Sequence, residues 1–269
     1  MTYELDRVAI VTGSGGSGCG RAIAARFAGA GAAVVVSDID EAGGRETVHM
    51  IEQRGGRAQF FRADVREDSE ARGLIDFCES TFGPVTILVN NASSPHPAAE
   101  GLAGWMESIQ TDLLGTLHAT RWAIESMRRA GGGSIVNIAS ISALWHGRTT
   151  AGGFPGYDVA KAGVIRLTTG LAPLAQNDRI RVNCLAPGWI ATDGPRQYWE
   201  SLTPAERAER GVPSTLLIPD QVADAVFRLA TDETLAGRIL VWWSEDAPRL
   251  IRWGDRGYRE VVDFADGRI

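Results

Sequence analysis

Seven short, largely apolar runs punctuate the chain: Val8–Val11, Ala33–Ser37, Ala58–Phe61, Val85–Val89, Ser134–Ile138, Arg181–Leu185 and Arg238–Val241. Each is too short and too uniformly apolar for a surface helix, and the pattern suits strands buried on both faces. Between them lie Arg21–Ala28, Glu41–Arg54, Glu67–Phe82, Ser108–Arg129, Ala160–Ala175 and Asp220–Ala230, all with helix-like periodicity. Alternating strand and helix predict an α/β fold, a parallel sheet covered by helices on both faces. No Pro/Ser-rich linker, repeat or low-complexity tract interrupts the series, so residues 1–269 read as a single domain. Two stretches depart from the alternation. Thr192–Pro219 carries Pro195, Tyr198, Trp199, Pro204 and Pro213 and one short helical run, Pro204–Arg210, and reads as an inserted flap. The segment from about 242 to 269 holds Trp242, Trp243 and Trp253, and reads as a tail packed on the body or on another subunit.

Composition narrows the function class. Hydrophobic residues make up 44% and charged residues 22%, ordinary values for a soluble globular chain. With a net charge of −6 and no basic tract longer than two residues, nucleic acid and anionic membrane are not expected partners. Cys19, Cys78 and Cys184 have no CxxC spacing, so neither a disulfide framework nor a zinc site is expected; Cys78 and Cys184 sit in apolar patterns as core thiols. The four histidines lack metal spacing, and no metal is expected. The first residues carry no basic n-region, and no apolar run approaches the ~20 residues of a membrane helix. A reducing, cytoplasmic setting is the expectation.

Candidate chemistry centres on Tyr157 and Lys161, four residues apart in Gly156-Tyr157-Asp158-Val159-Ala160-Lys161. On a helix these side chains share one face. An ammonium beside a phenol favours the phenolate, drawing its pKa down from about 10. Such a tyrosine exchanges a proton with an alcohol or carbonyl. Near the N-terminus, Val11-Thr12-Gly13-Ser14-Gly15-Gly16-Ser17-Gly18-Cys19-Gly20-Arg21 follows the first strand and opens the first helix. Gly13, Gly15 and Gly18 fit GxGxxG, a turn that lets backbone approach a pyrophosphate at a helix N-terminus. Asp38 ends the second strand about 20 residues on, where a carboxylate binds ribose hydroxyls and repels the 2′-phosphate of NADP. No Lys or Arg lies between Thr12 and Gly20, so NAD(H) is the expected cofactor. Asp64, after the third strand, is placed either to meet the adenine or to serve as a turn aspartate.

Together these residues resemble the short-chain dehydrogenase/reductase family, of the compact single-domain type, from about Arg7 to about Val241. Thr12–Gly20 is similar to its TGxxxGxG loop, Asn90-Asn91-Ala92-Ser93 to its NNAG motif, and Asn183–Gly188 to its N-x-x-x-P-G segment. Ser140, Tyr157 and Lys161 match its catalytic Ser, Tyr and Lys, and Asp112 falls where many members carry a fourth catalytic residue, an Asn. The resemblance implies a Rossmann-type, doubly wound, seven-stranded parallel sheet. It places the dinucleotide against Gly13, Gly15, Ser17, Gly18, Cys19, Gly20, Asp38, Asp64, Val65, Asn91, Ala92, Tyr157, Lys161, Pro187, Gly188, Ile190 and Thr192. Substrate contacts are expected from Ser140, Ser142, His146 and Trp189.

Four departures from the family pattern stand out: one extra residue between Gly13 and Gly18, Ser93 for the last glycine of NNAG, Asp112 for Asn, and a longer interval from Ser140 to Tyr157. The extra residues of that interval lie in His146–Gly153. Ser142 is an alternative to Ser140, which better matches a strand end. His96 and His146 are either substrate contacts or surface residues; His49, His118 and Asn90 read as structural. Trp145, Phe154, Trp189, Tyr198 and Trp199 line a pocket or pack the core.

The function this implies is NAD-dependent interconversion of a secondary alcohol and a ketone, with Tyr157 as general acid/base. The alternatives are an epimerase or dehydratase using the same pair, and a dinucleotide sensor without catalysis. Family analogy adds a homo-oligomer, tetramer or dimer, built through Ser108–Arg129 and Ala160–Ala175.

Overall fold

The computed structural model describes residues 7–94, 101–145, 154–252 and 254, with no side chains for 101–103. Its strands are β1 (Val8–Thr12), β2 (Ala33–Asp38), β3 (Arg57–Arg62), β4 (Ile87–Asn90), β5 (Gly133–Ile138), β6 (Ile180–Pro187), β7 (Ile239–Trp242) and β8 (Arg249–Leu250). The helices are α1 (Cys19–Ala28), α2 (Glu41–Gln53), α3 (Asp68–Phe82), α4 (Gly101–Ser108), α5 (Gly115–Ala130), α6 (Pro155–Gly170), α7 (Leu174–Asn177), α8 (Asp193–Glu200), α9 (Pro204–Glu209) and α10 (Pro219–Thr231). A π-helical turn, Ile109–Leu114, joins α4 to α5, and a 3-10 turn, Ile141–Leu144, follows β5.

The strands form one sheet in the order β3-β2-β1-β4-β5-β6-β7-β8. The first seven are parallel, and β8 pairs antiparallel with β7. This is the Rossmann-type sheet expected, with one strand more than the seven read from sequence. The extra strand is two exposed residues, too short to leave an apolar signature, and it exists only because the tail folds back along β7. A second difference concerns β3. Its run reads as buried on both faces, yet the strand lies at the sheet edge with Arg57, Gln59 and Arg62 exposed.

Two apolar layers sandwich the sheet. On one face α1, α2 and α10 bury Ile23, Phe27, Ile51, Val222 and Val226. On the other, α3 and α5 bury Leu74, Ile75, Cys78, Ala119, Ala123 and Met127, while Val164 of α6 packs nearer β6 and β7. At about 25 cal/mol per Å² of apolar surface, these layers dominate the stabilisation. Local signals set the helix ends. Asp40 caps α2 by accepting from Gly43 N at 3.2 Å, Pro155 opens α6, and Gly131 closes α5 at φ 80°, a conformation with no steric cost only for glycine.

The chain reverses direction across the sheet between β1 and β4. The connections that leave their carboxyl ends therefore pass to opposite faces of the sheet, leaving the crevice in which open α/β sheets bind ligands. The glycine loop, Asn91, Ser140 and Trp189 all follow strands that end at this edge.

Candidate active site

The glycine loop is held from below. Asn91 Nδ2 donates to Thr12 O at 3.0 Å and Gly13 O at 2.8 Å, and Thr12 Oγ1 accepts from Asn91 N and Ala92 N. The NNAG-like segment thus serves the loop's shape, and the Asn91 amide is occupied by backbone. Asn90 lies deeper, donating to Thr120 Oγ1 and Asn137 Oδ1, with Asn137 passing the chain on to Thr168 at 2.9 Å. From the side, Arg21 donates to Gly15 O at 2.9 Å, Thr47 Oγ1 at 3.0 Å and Glu46 at 2.8 Å. Thr47 in turn bonds Ser14 O. Ser14 lies in the stretch that carries the extra residue, and these bonds secure it against α2.

The cradle fits a dinucleotide phosphate on backbone grounds. Gly18 is the N-cap of α1 with no side-chain cap, and the first turn holds no acidic residue, so the helix presents its N–H groups and positive end. Gly16 is exposed, and a Cβ there would meet nothing within 4 Å. At Gly20 a Cβ would collide with Gly13 O. Asp38 accepts from Gly15 N at 2.7 Å and Asp40 N at 3.0 Å, which fixes its carboxylate at the end of β2 beside the loop. The other expected cofactor residues are placed unevenly. Asp64 is gripped by the Arg66 fork, with Nη2 at 2.6 Å, which holds its carboxyl below the usual carboxylate range. Val65 is buried, and its carbonyl pairs with His118 Nδ1 at 3.0 Å. Cys19 is buried at the first residue of α1, and burial pushes its thiol up to about 12. Cys78 and Cys184 are buried as expected.

The segment after β6 closes over the loop. Gly188 N donates to Trp242 O at 2.7 Å, Trp189 N to Ser244 Oγ at 2.9 Å, and Ile190 bridges Leu217. Thr192 starts α8, a helix where only an irregular flap was expected, and its methyl lies 3.2 Å from where a Gly18 Cβ would stand. Next to it, Asp193 Oδ2 accepts from Ser17 Oγ at 2.8 Å. Neither Asp193 nor Ser244 was singled out from sequence. Both are ordinary polar residues whose partners lie 176 and 55 positions away.

The catalytic candidates converge at the end of β5. Ser140, extended at φ −156°, caps the 3-10 turn by accepting from Ser142 N at 3.2 Å, and its hydroxyl stands on the side of the Tyr157 phenol, where it favours the ionised form. Ser142 itself is buried. Lys161 Nζ donates to Ile138 O at 3.0 Å and lies 5.4 Å from the Tyr157 ring centroid. Phe154 stacks on Tyr157 at 5.6 Å, Trp189 on Tyr198 at 6.0 Å, and Trp145 meets Trp243 edge-on at 5.4 Å. Trp199 instead packs under Arg207, 3.3 Å from its ring centroid. His96 and the substrate candidate His146 lie outside the described residues.

Asp112 sits in the π turn, within the stretch expected as one unbroken helix from Ser108 to Arg129. Its carboxylate meets Lys161 Nζ at 2.8 Å, with both side chains almost wholly buried. Ser93 Oγ donates to Oδ1, and Ser94 donates to Oδ2 from N at 3.1 Å and from Oγ at 2.9 Å. Its backbone carbonyl accepts from Thr116 Oγ1 at 2.8 Å. Burial opposes both charges, but mutual attraction and these donors hold Asp112 ionised and Lys161 protonated, the acid low and the base high. Tyr157 differs from expectation. Burial pushes its phenol above the usual value, Lys161 pulls it down, and Asp112 pushes it up again. The Tyr157–Lys161 spacing reveals only the cation, because Asp112 is 45 residues away from Tyr157 in the chain.

Among the described residues no cluster of three or more His, Cys, Asp or Glu is arranged to hold a metal, and no helix is long and apolar enough to cross a membrane.

A doubly wound parallel sheet with a glycine loop at its switch point and a Ser–Tyr–Lys group at the neighbouring strand end is an arrangement that fits a dinucleotide-dependent oxidoreductase. The family model described as short chain dehydrogenase matches residues 7–202. The chain is 35% identical over 238 residues to a probable galactose dehydrogenase of Rhizobium meliloti, covering 86% of this chain and 90% of that one. It is 35% identical over 231 residues to cis-4-hydroxycyclohexanecarboxylate dehydrogenase of Sinomonas cyclohexanicum, covering 84% and 90%. Among solved structures, 7α-hydroxysteroid dehydrogenase complexed with NADH and 7-oxo glycochenodeoxycholic acid superposes with a TM-score of 0.76 at 31% identity, covering 90% of this chain and 94% of that one. The chain belongs to the short-chain dehydrogenase family, and with it to the oxidoreductases.

Proposed function

We propose that the protein interconverts a secondary alcohol and a ketone with NAD(H), using Tyr157 as general acid/base. The observation that carries this reading is the convergence of Ser140, Tyr157 and Lys161 at the carboxyl edge of the sheet, with Lys161 bonded to Ile138 O at the end of β5 and 5.4 Å from the Tyr157 ring centroid. A bound nicotinamide supplies or accepts the hydride. Ser140 holds the substrate oxygen. Tyr157 takes the hydroxyl proton in oxidation and returns it to the ketone oxygen in reduction, a contribution of about 10² to 10⁴ in rate. Lys161 steadies the tyrosine. Gly13, Gly18 and the N-terminus of α1 hold the pyrophosphate, with Ser17 and Thr192 beside it. Asp38 binds the adenosine ribose and disfavours a 2′-phosphate. Arg21, beside the glycine loop, is spent on Gly15, Thr47 and Glu46.

The relatives act on cyclic or polyhydroxylated alcohols by their names, and a ring-bearing secondary alcohol suits the aromatic side chains Trp145, Phe154 and Trp189. Trp105, Met106, Leu114, Leu117 and Val159, all more than a third exposed on α4 to α6, support a homo-oligomer through those elements. The test is NAD⁺ and NADP⁺ reduction in parallel across secondary alcohols, sugar alcohols, cyclohexanols and hydroxysteroids. Turnover with NAD⁺ on at least one class is expected. NADH binding without turnover on any would favour a sensor, and better turnover with NADP⁺ would overturn the cofactor assignment.

A further inference from the structure

Lys161 Nζ lies 5.4 Å from the Tyr157 ring centroid, and its charge is matched at 2.8 Å by Asp112. The Asp112 carboxylate is no accidental neighbour. Three donors from Ser93 and Ser94 converge on its two oxygens, and Ser94 is itself bonded to Ser108 at 3.0 Å. The π turn places Asp112 against α6, where Gly163 leaves room, since a Cβ there would lie 2.9 Å from Leu113. Charge–charge interactions across such a buried site are several times stronger than in water. The groups facing the pair are Tyr157 and Asp158 on α6, Asp112 on the π turn and Cys184 on β6. Of these, Asp158 weighs less on the Tyr157 phenol than Asp112 does, and burial pushes the Cys184 thiol up to about 12. Asp112 is therefore the counter-charge that matters.

We propose that Asp112 is a positioning residue that cancels the charge of Lys161 where it faces Tyr157, so that the two act as a near-neutral unit releasing its proton only in alkaline solution. This deepens the acid/base reading of Tyr157 and rests on it for its catalytic meaning. Tyr157 and Lys161 titrate as a coupled pair, and removing a neighbouring negative charge lowers the first proton loss of the pair whichever member gives it up. Asp112→Asn keeps the size of the side chain and removes its charge, while turning one acceptor oxygen into a donor among the Ser93, Ser94 and Lys161 donors.

The experiment is a pH titration of tyrosinate absorbance on the intact chain without substrate. The chain has four tyrosines, so each titration is read against the same protein carrying Tyr157→Phe, which isolates Tyr157. In the wild type its midpoint is expected at or above the ordinary tyrosine value of about 10. In Asp112→Asn it is expected to fall by about 1 to 2 pH units. Ser93→Ala, which disturbs the same pocket while keeping the carboxylate, is expected to leave the midpoint in place. A wild-type midpoint more than about one unit below the ordinary value overturns the proposal even if Asp112→Asn does not fold. An unmoved midpoint in Asp112→Asn, or an equal fall in Ser93→Ala, also overturns it. If the midpoints move as expected but Tyr157→Phe keeps full turnover, the acid/base reading fails and the charge cancellation stands.

Discussion

Asp193 Oδ2 accepts from Ser17 Oγ at 2.8 Å, tying the first residue of α8 to the glycine loop across 176 positions of sequence. This puts a carboxylate beside the N-terminus of α1, where an anionic pyrophosphate would sit. Two like charges about 4 Å apart repel by about 1 kcal/mol in water. Asp193→Asn is therefore expected to tighten NADH binding by up to about five-fold. Fluorescence titration in low salt checks it, and the gain should shrink as salt screens the exposed carboxylate. Unchanged affinity in low salt would mean that Asp193 swings clear when the cofactor enters.

Tyr157→Phe removes one hydroxyl and little packing. Turnover is expected to fall by about 10² to 10⁴ while NADH affinity holds within a few-fold. Steady-state rates and NADH titration on one preparation separate the two.

Asp38 is anchored by Gly15 N and Asp40 N, so its charge cannot easily turn away from a 2′-phosphate. Asp38→Asn should raise the ratio of NADP⁺ to NAD⁺ efficiency (kcat/KM) by about 10- to 100-fold, the size of one partly screened charge repulsion. A ratio that does not move would place ribose recognition elsewhere.

Gly13 adopts φ 65°, and a Cβ there would stand 2.6 Å from Ala92 Cα. Gly13→Ala is expected to destabilise the fold by about 1–3 kcal/mol or more and to weaken NADH binding. Gly16→Ala, three residues on with open space around it, should leave stability within about 0.5 kcal/mol of wild type. Chemical denaturation of both variants compares backbone requirement with mere glycine content.

Asn137 bridges Asn90 and Thr168 in a fully buried polar chain that links β4, β5 and α6. Asn137→Ala leaves Asn90 with Thr120 Oγ1 and Thr168 with Val164 O, but each loses one partner in a buried site, at about 1–3 kcal/mol in all. Thermal melting should fall by several degrees, about 2–4 °C per kcal/mol for a chain of this size. An unchanged Tm would mean that water replaces the amide.

Read from sequence alone, the apolar runs locate all seven parallel strands, because a strand buried between two helical layers must be apolar along its length whatever its neighbours are. The glycine loop, Asp38 and the Tyr157–Lys161 spacing were legible for a similar reason: each depends on residues within one turn or one strand–helix junction. Partnerships across the chain were not legible. Local periodicity gave no hint that the helix expected over Ser108–Arg129 breaks into a π turn, that Asp112 there meets Lys161, that the tail adds β8, or that Asp193 reaches Ser17. A hydrophobic pattern records which side of an element is buried, and says nothing of which polar group 19 or 176 residues away will face it. Only the packed sheet decides that, and with it the charge that Tyr157 experiences.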